Sequence, residues 1–257
     1  MNKKYFFFDI DGTLTDNATR KIVPSAKQAL DELQANGHFV CLCTGRAGYK
    51  SVDFLHSIGL HSMVCAGGGG IFIDDKFVEY VPLDYDKCKA IIREAEAKNI
   101  GYVLALDDSL RVYSKDNLFV EQCGGRNEPT EYIVDPKYDI DNIDNVYKMF
   151  FALTKENEDI LTLKDTLGHL RISDVSLMYQ HDMKKTGIEK MMKHLNADVK
   201  DVVVFGDEVN DLVMFDDRWF SIAMGNGNEL LKEKANYVTD LNVNDGIYKA
   251  CKKFGWI

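Results

Sequence analysis

Near its start the chain reads KKYFFFDIDGTLTD, from Lys3 to Asp16. Tyr5 to Phe8 and Ile10 are apolar, Asp9 and Asp11 interrupt and end the run, and Gly12-Thr13 follow at once. A short apolar run bounded by turn residues predicts a strand buried on both faces, the kind found inside a parallel sheet covered by helices. Carboxylates at the end of such a strand are costly unless something compensates their charge. The stretch therefore constrains both the architecture and the place where chemistry is expected.

The residues that follow repeat the pattern. Pro24 suits a first helical position, and Ala26, Ala29, Leu30 and Leu33 recur at helical spacing until Gly37. HFVCLC (His38–Cys43) is a second buried strand, ending in Thr44-Gly45-Arg46. Val52, Leu55 and Ile58 mark a helix stopped by Gly59, and SMVCA (Ser62–Ala66) is a third strand. This βαβαβ order predicts a parallel sheet.

The style then changes. Gly67–Val81 predicts an antiparallel hairpin turning at Asp74-Asp75-Lys76, and a helix follows from Asp86 with Cys88, Ile91, Ile92 and Ala95 on one face. YVLAL and LRVYS form a second hairpin through Asp107-Asp108-Ser109, and Asp135–Asn145 is a loop. A strand is expected over Val146–Leu153, a helix over Glu158–Leu167, and strands at LRIS and VSLMY, together an antiparallel sheet. From Met183 the parallel style returns, with a helix marked by Ile188, Met191, Met192 and Leu195. DVVVFGD (Asp201–Asp207) is another apolar strand ending in a carboxylate, and WFSIAM and YVT are further short strands. The expected fold is α/β: a parallel-sheet core domain over 1–82 and 182–257, with an α+β domain inserted over 83–181.

Ligands of open parallel sheets gather at the C-terminal ends of the strands. One predicted strand ends in Asp9 and Asp11, one in Thr44-Gly45-Arg46, and one in Gly206-Asp207 with Asn210 and Asp211 beyond. If these strands are neighbours, at least three carboxylates meet at one edge and require a cation. An oxygen-only donor set favours Mg²⁺. GDEVND does not follow the D-x-D-x-D-G spacing of a calcium loop. Gly12 and Gly45 let backbone N–H groups approach an anion, Thr44 adds a hydroxyl, and a lysine near the start of the Met183–Leu195 helix adds a positive charge. A carboxylate beside Mg²⁺ can attack phosphorus, and a second one two residues on can protonate the leaving oxygen and then activate water.

Composition narrows the alternatives. With 31 basic and 41 acidic side chains the formal charge is −10, which argues against a broad nucleic-acid surface but not against a small anionic ligand. The six cysteines are scattered without a CxxC pair, as expected of reduced cysteines in a cytoplasmic protein, and give no zinc spacing. No apolar run approaches the roughly 20 residues of a membrane helix, and the first residues lack the features of a signal peptide.

Taken in order, these motifs resemble the haloacid dehalogenase superfamily of phosphatases, in its Cof-type (subclass IIB) branch. DIDGTLTD resembles the first motif, CTGR (Cys43–Arg46) the second, MKKTGI (Met183–Ile188) the third and GDEVNDLVMF (Gly206–Phe215) the fourth. Ala223–Ile247 is similar to the tail of the branch. The resemblance implies a Rossmann-like core with a C2-type α/β cap that closes over the site and selects the substrate. It implies Asp9 as nucleophile and Mg²⁺ ligand, and Asp11 as general acid and base with its backbone carbonyl on the metal. Thr44 and Gly45 would hold the phosphoryl group, with Lys184 in the third-motif role and Asn210 in support. Asp207 would ligate Mg²⁺, and Asp211 would orient metal-bound water or share the ligation. Two departures stand out: Lys185 fills a position often small in the family, and AGGGG (Ala66–Gly70) replaces an Asn-Gly pair.

The expected activity is Mg²⁺-dependent hydrolysis of small phosphomonoesters, among them sugar phosphates, nucleotides, flavin mononucleotide and pyridoxal phosphate. A phosphomutase is the alternative within enzymes. It would need cationic cap residues, for which Arg93, Arg111, Arg126 and Arg171 are available. A non-catalytic metabolite sensor is the third reading, opposed by the presence of every catalytic side chain. Arg46 either reaches toward the site mouth or makes a structural ion pair. No nucleic-acid or membrane partner is expected, and both monomer and dimer are compatible with the sequence.

Overall fold

A computed structural model describes residues 2–257. The chain divides into two compact units, Met1–Tyr80 with Asp182–Ile257, and Val81–His181. In chain order the first segment holds β1 (Tyr5–Phe8), α1 (Pro24–Ala35), β2 (Phe39–Cys43), α2 (Gly48–Ser57), β3 (Met63–Cys65), β4 (Gly70–Ile73) and β5 (Lys76–Tyr80). The inserted unit holds α3 (Tyr85–Ala97), β6 (Tyr102–Ala105), β7 (Arg111–Ser114), α4 (Leu118–Cys123), β8 (Glu131–Val134), β9 (Lys148–Ala152), β10 (His169–Ser173) and β11 (Ser176–Tyr179). The chain returns with α5 (Lys184–His194), β12 (Val202–Gly206), β13 (Phe220–Ala223), α6 (Glu229–Lys234), β14 (Tyr237–Val238) and α7 (Gly246–Lys253).

The split unit is built on one sheet of order β14-β13-β12-β1-β2-β3-β4-β5. Its strand pairs are parallel except β3–β4 and β4–β5, which are antiparallel, so that β4 alone runs against the others. The first strand is therefore central. The chain builds outward to one side through β2 and β3, and later to the other through β12, β13 and β14. This reversal is the switch point at which ligands of such sheets bind. Alternate phenylalanines of β1 enter different cores. Phe6 and Phe8 pack with Leu30, Leu33 and Ala250 from α1 and α7, whereas Phe7 packs with Ile188, Met191 and Met192 of α5. Burying each ring contributes about 1.5–3 kcal/mol relative to exposure. That suffices to hold a strand whose next residue is a buried carboxylate.

The inserted unit has its own sheet, of order β10-β11-β9-β6-β7-β8. Helix α3 covers one face through Ile91 and Ile92, which pack with Phe151, and α4 covers the other through Phe119, which packs with Phe150. Two expectations need correction here. The sheet is not wholly antiparallel, because β8 pairs parallel to β7 after a crossover through α4. A six-residue helix offers too few turns for a periodic signal. Nor is Glu158–Leu167 one helix: it forms 3₁₀ turns at Lys155–Ile160 and Lys164–Thr166. Glu94 of α3 accepts from the N–H groups of Thr162 (2.8 Å) and Leu163 (2.9 Å), taking donors that a continuous helix would use within itself.

Candidate active site

The ends of β2, β1 and β12 lie side by side, because β1 pairs in parallel with both of the others. Asp9 prolongs β1, and its N–H donates to the Phe205 carbonyl of β12 (3.0 Å). Asp207 follows β12 directly. Asp211 returns to the same place on the 3₁₀ turn Val209–Met214, where its Oδ2 accepts from the N–H groups of Asp207 (3.0 Å) and Glu208 (3.1 Å). Asp9, Asp207 and Asp211 are all buried, and each offers an oxygen within 4.8 Å of the others.

Lys184, the first residue of α5, is the counterion. Its side chain is 2% exposed, and Nζ donates to Asp9 Oδ1 (2.7 Å) and Asp211 Oδ1 (2.5 Å). Burial alone would push the ammonium down, but the Asp211 and Asp9 carboxylates reverse this and hold it above its ordinary range. One lysine does not compensate three carboxylates. Burial first, and Asp211 second, push Asp9 up to about 7 against the opposing pull of Lys184. Burial likewise pushes Asp207 up to about 7, although Thr13 Oγ1 donates to its Oδ1 (2.7 Å). A buried oxygen-only cluster short of positive charge fits a hard divalent cation.

Glycines set the close approaches. A Cβ on Gly12, whose φ is +82°, would lie 2.1 Å from Asp207 Oδ2. The glycine run seats α5. Gly67 O accepts from Met183 N–H (2.8 Å), and a Cβ on Gly68 would lie 2.2 Å from the Met183 carbonyl oxygen. On α5 itself, a Cβ on Gly187 would meet Val64 Cγ1 at 2.5 Å and Gly68 Cα at 2.9 Å. Backbone thus packs on backbone, and Lys184 begins its helix at the carboxylates.

The remaining residues named from the sequence divide into two groups. Thr44 is buried at the end of β2, its Oγ1 accepting from Arg46 N–H (3.1 Å), with Gly45 beside it. Asp11 stands apart from the cluster. Arg46 forks onto it, Nε to Oδ2 (2.9 Å) and Nη2 to Oδ1 (2.5 Å), and Arg20 lies 3.5 Å away. Arg46 therefore makes an ion pair, and makes it with a residue of the first motif. Asn210 is exposed on the 3₁₀ turn. Lys185 points away to Asp216 (2.6 Å), so only one lysine of the pair enters the cluster. Thr13 and Asn226 were not among the residues singled out. Thr13 bonds Asp207, and Asn226 Nδ2 donates to Gly12 O (2.8 Å), tying the loop after β13 to the turn after β1.

Comparison with known proteins agrees with this architecture. A family model described as haloacid dehalogenase-like hydrolase matches residues 6–251. YkrA of Bacillus subtilis (strain 168) is 27% identical over 268 residues, covering 99% of each chain. The 5-amino-6-(5-phospho-D-ribitylamino)uracil phosphatase YitU of the same organism is 25% identical over 265 residues, covering 96% of this chain and 95% of its own. The solved structure of the HAD subclass IIB sugar phosphatase BT4131 superposes with a TM-score of 0.78 at 24% identity, over 99% of this chain and 100% of that one. The chain belongs to the haloacid dehalogenase-like hydrolases, has the fold of their subclass IIB, and is one of the family's phosphatases.

Proposed function

We propose that the chain hydrolyses small phosphomonoesters with Mg²⁺ through a phosphoryl group carried on Asp9. The observation that carries this reading is the convergence of Asp9, Asp207, Asp211 and Lys184 at adjacent strand ends. Asp9, Asp207 and the Asp11 backbone carbonyl would hold the ion, with Asp211 sharing the ligation or orienting its water. Bound there, Mg²⁺ neutralises charge on the transferring phosphoryl oxygens.

Asp9 attacks phosphorus, forming a carboxylate–phosphorus bond as the bond to the leaving oxygen breaks. Asp11 gives its proton to that oxygen. In the second half Asp11 takes a proton from water, the water oxygen bonds phosphorus, and inorganic phosphate leaves with Asp9 restored. Lys184 favours the ionised form of Asp9 against burial and Asp211, and aims it. Thr44 and the backbone at Gly45 hold the phosphoryl oxygens, with Asn210 in support. The two-point Arg46 fork fixes the direction of the Asp11 carboxyl group.

Hydrolysis rather than mutase chemistry is supported by the inserted unit. Arg93 pairs with Glu96, Asp139 and Asp141, Arg111 with Asp107, Arg126 with Glu128, and Arg171 with Glu158. Each of these arginines is already committed to a carboxylate, whereas a mutase needs cations for a second phosphate. The named activities of YitU and BT4131 support phosphorylated ribityl compounds and sugar phosphates as the first substrates to try. The test is inorganic phosphate release from a panel of phosphomonoesters, with Mg²⁺ or with EDTA. Release that requires Mg²⁺ is expected, and release undiminished by EDTA would overturn the metal assignment.

A further inference from the structure

A second group of metal-binding side chains converges in the split unit, outside the carboxylate cluster. His56 lies in the last turn of α2, His61 in the segment leading to β3, and Asp75 in the turn between β4 and β5. Asp75 bridges the two histidines: its Oδ1 lies 2.8 Å from His56 Nε2 and its Oδ2 2.8 Å from His61 Nδ1. The imidazole centroids are 5.7 Å apart. All three residues are exposed, and their ligand atoms lie within 4.8 Å of one another.

The backbone holds this arrangement in place. Asp75 N–H donates to the His61 carbonyl (3.0 Å), and Asp74 N–H donates to Ser62 Oγ (3.3 Å). Both turn aspartates have positive φ, 46° at Asp74 and 66° at Asp75, a left-handed conformation that Asp adopts more readily than most non-glycine residues. The turn is thus pinned against the segment carrying His61, with its carboxylate between the rings.

We propose that His56, His61 and Asp75 form a second metal site, for a Zn²⁺-class ion. Two imidazole nitrogens and one carboxylate oxygen select borderline transition-metal dications over Mg²⁺, the reverse of the oxygen-only cluster. Zinc bonds of about 2.0–2.2 Å at tetrahedral angles place donors about 3.3 Å apart. The two nitrogen–oxygen separations of 2.8 Å need to open by about half an ångström, and the ring nitrogens, within 4.8 Å of each other, adjust by rotation of exposed side chains. Water fills the remaining position. The ion clips the end of α2, the following segment and the hairpin turn together, and takes no part in phosphoryl transfer.

Zinc titration calorimetry on the untagged chain, with Mg²⁺ present throughout, tests this. The wild type is compared with His56→Ala, His61→Ala and Asp75→Asn, the last chosen because Asn tolerates positive φ. The expected result is one zinc equivalent whose affinity falls at least tenfold in each variant, while the EDTA-treated variants unfold at the wild-type urea midpoint. Cobalt bound in place of zinc should show a visible absorption band that the two histidine variants lack. Zinc affinity unchanged in His56→Ala and His61→Ala would overturn the proposal. It would leave two surface hydrogen bonds from Asp75 to imidazoles, and any zinc bound would then belong to the carboxylate cluster.

Discussion

Gly68 lies against the backbone of Met183, so close that a Cβ at position 68 would come within 2.2 Å of the Met183 carbonyl oxygen and 2.8 Å of the Lys184 nitrogen. Neither atom is the end of a flexible side chain, and φ at Gly68 is +102°. Gly68→Ala must therefore displace the start of α5. It should cost about 2–4 kcal/mol in urea unfolding and lower phosphate release by misplacing Lys184. Gly37→Ala is the control: its φ is +83°, but nothing lies within 4 Å of the added Cβ, so the cost should be only about 1–2 kcal/mol with activity retained. Equal losses in the two variants would contradict the seating role.

A carboxyl whose folded-state pKa lies above its unfolded value holds its proton more tightly when folded. Asp207, pushed up to about 7 by burial, thus lowers stability as pH rises from about 4 to about 7. In EDTA, Asp207→Asn should be more stable than wild type at pH 8, by on the order of 3 kcal/mol. The difference should vanish toward pH 4, and Mg²⁺ should shrink it at pH 8 by stabilising the wild type. Urea midpoints across this range check the claim. A variant less stable than wild type at pH 8 in EDTA would contradict it.

Glu94 shows the opposite sign. Burial pushes its carboxyl up, but hydrogen bonds from Lys98, Thr162 and Leu163 outweigh burial and hold it at about 2. Its contribution is present above about pH 4.5 and is lost as pH falls toward 2. Glu94→Ala should cost about 1–3 kcal/mol at pH 7, since three backbone and hydroxyl donors of the 162–163 segment lose their acceptor. The gap from wild type should narrow in acid. A urea midpoint unchanged at pH 7 would show that the segment is held by other contacts.

Arg46 holds Asp11 by a two-point fork. Arg46→Ala should lower kcat about tenfold with little change in KM, because the acid–base carboxyl loses its orientation. Arg46→Lys should recover little, since an ammonium cannot reproduce the fork. Steady-state kinetics on the best substrate read this out. Full activity in Arg46→Ala would mean that the pair serves structure alone.

The carboxylate-tipped strands were legible in the sequence because three apolar runs, each closed by polar residues, leave few other folds. Lys184 was legible from motif order, and the structure separates it from Lys185 by burial. Thr13 was not legible. Its bond to Asp207 joins residues 194 apart, and Gly-Thr after a strand reads equally well as a turn. The Arg46–Asp11 fork needs the same three-dimensional information, as two readings of Arg46 were equally compatible with the sequence. The miss at Glu158–Leu167 has a local cause: its helical spacing loses to Glu94, a competitor on another element. The glycine run read as a departure from a family pattern, and its packing on Met183 supplies the reason for Gly68.

The decisive measurement is turnover of wild type and Asp9→Asn on the best phosphomonoester with Mg²⁺, joined to mass spectrometry of acid-quenched reactions. Wild-type turnover, a phosphoryl group on the peptide containing Asp9, and loss of both in Asp9→Asn are predicted. Turnover by Asp9→Asn within tenfold of wild type would contradict covalent catalysis at Asp9.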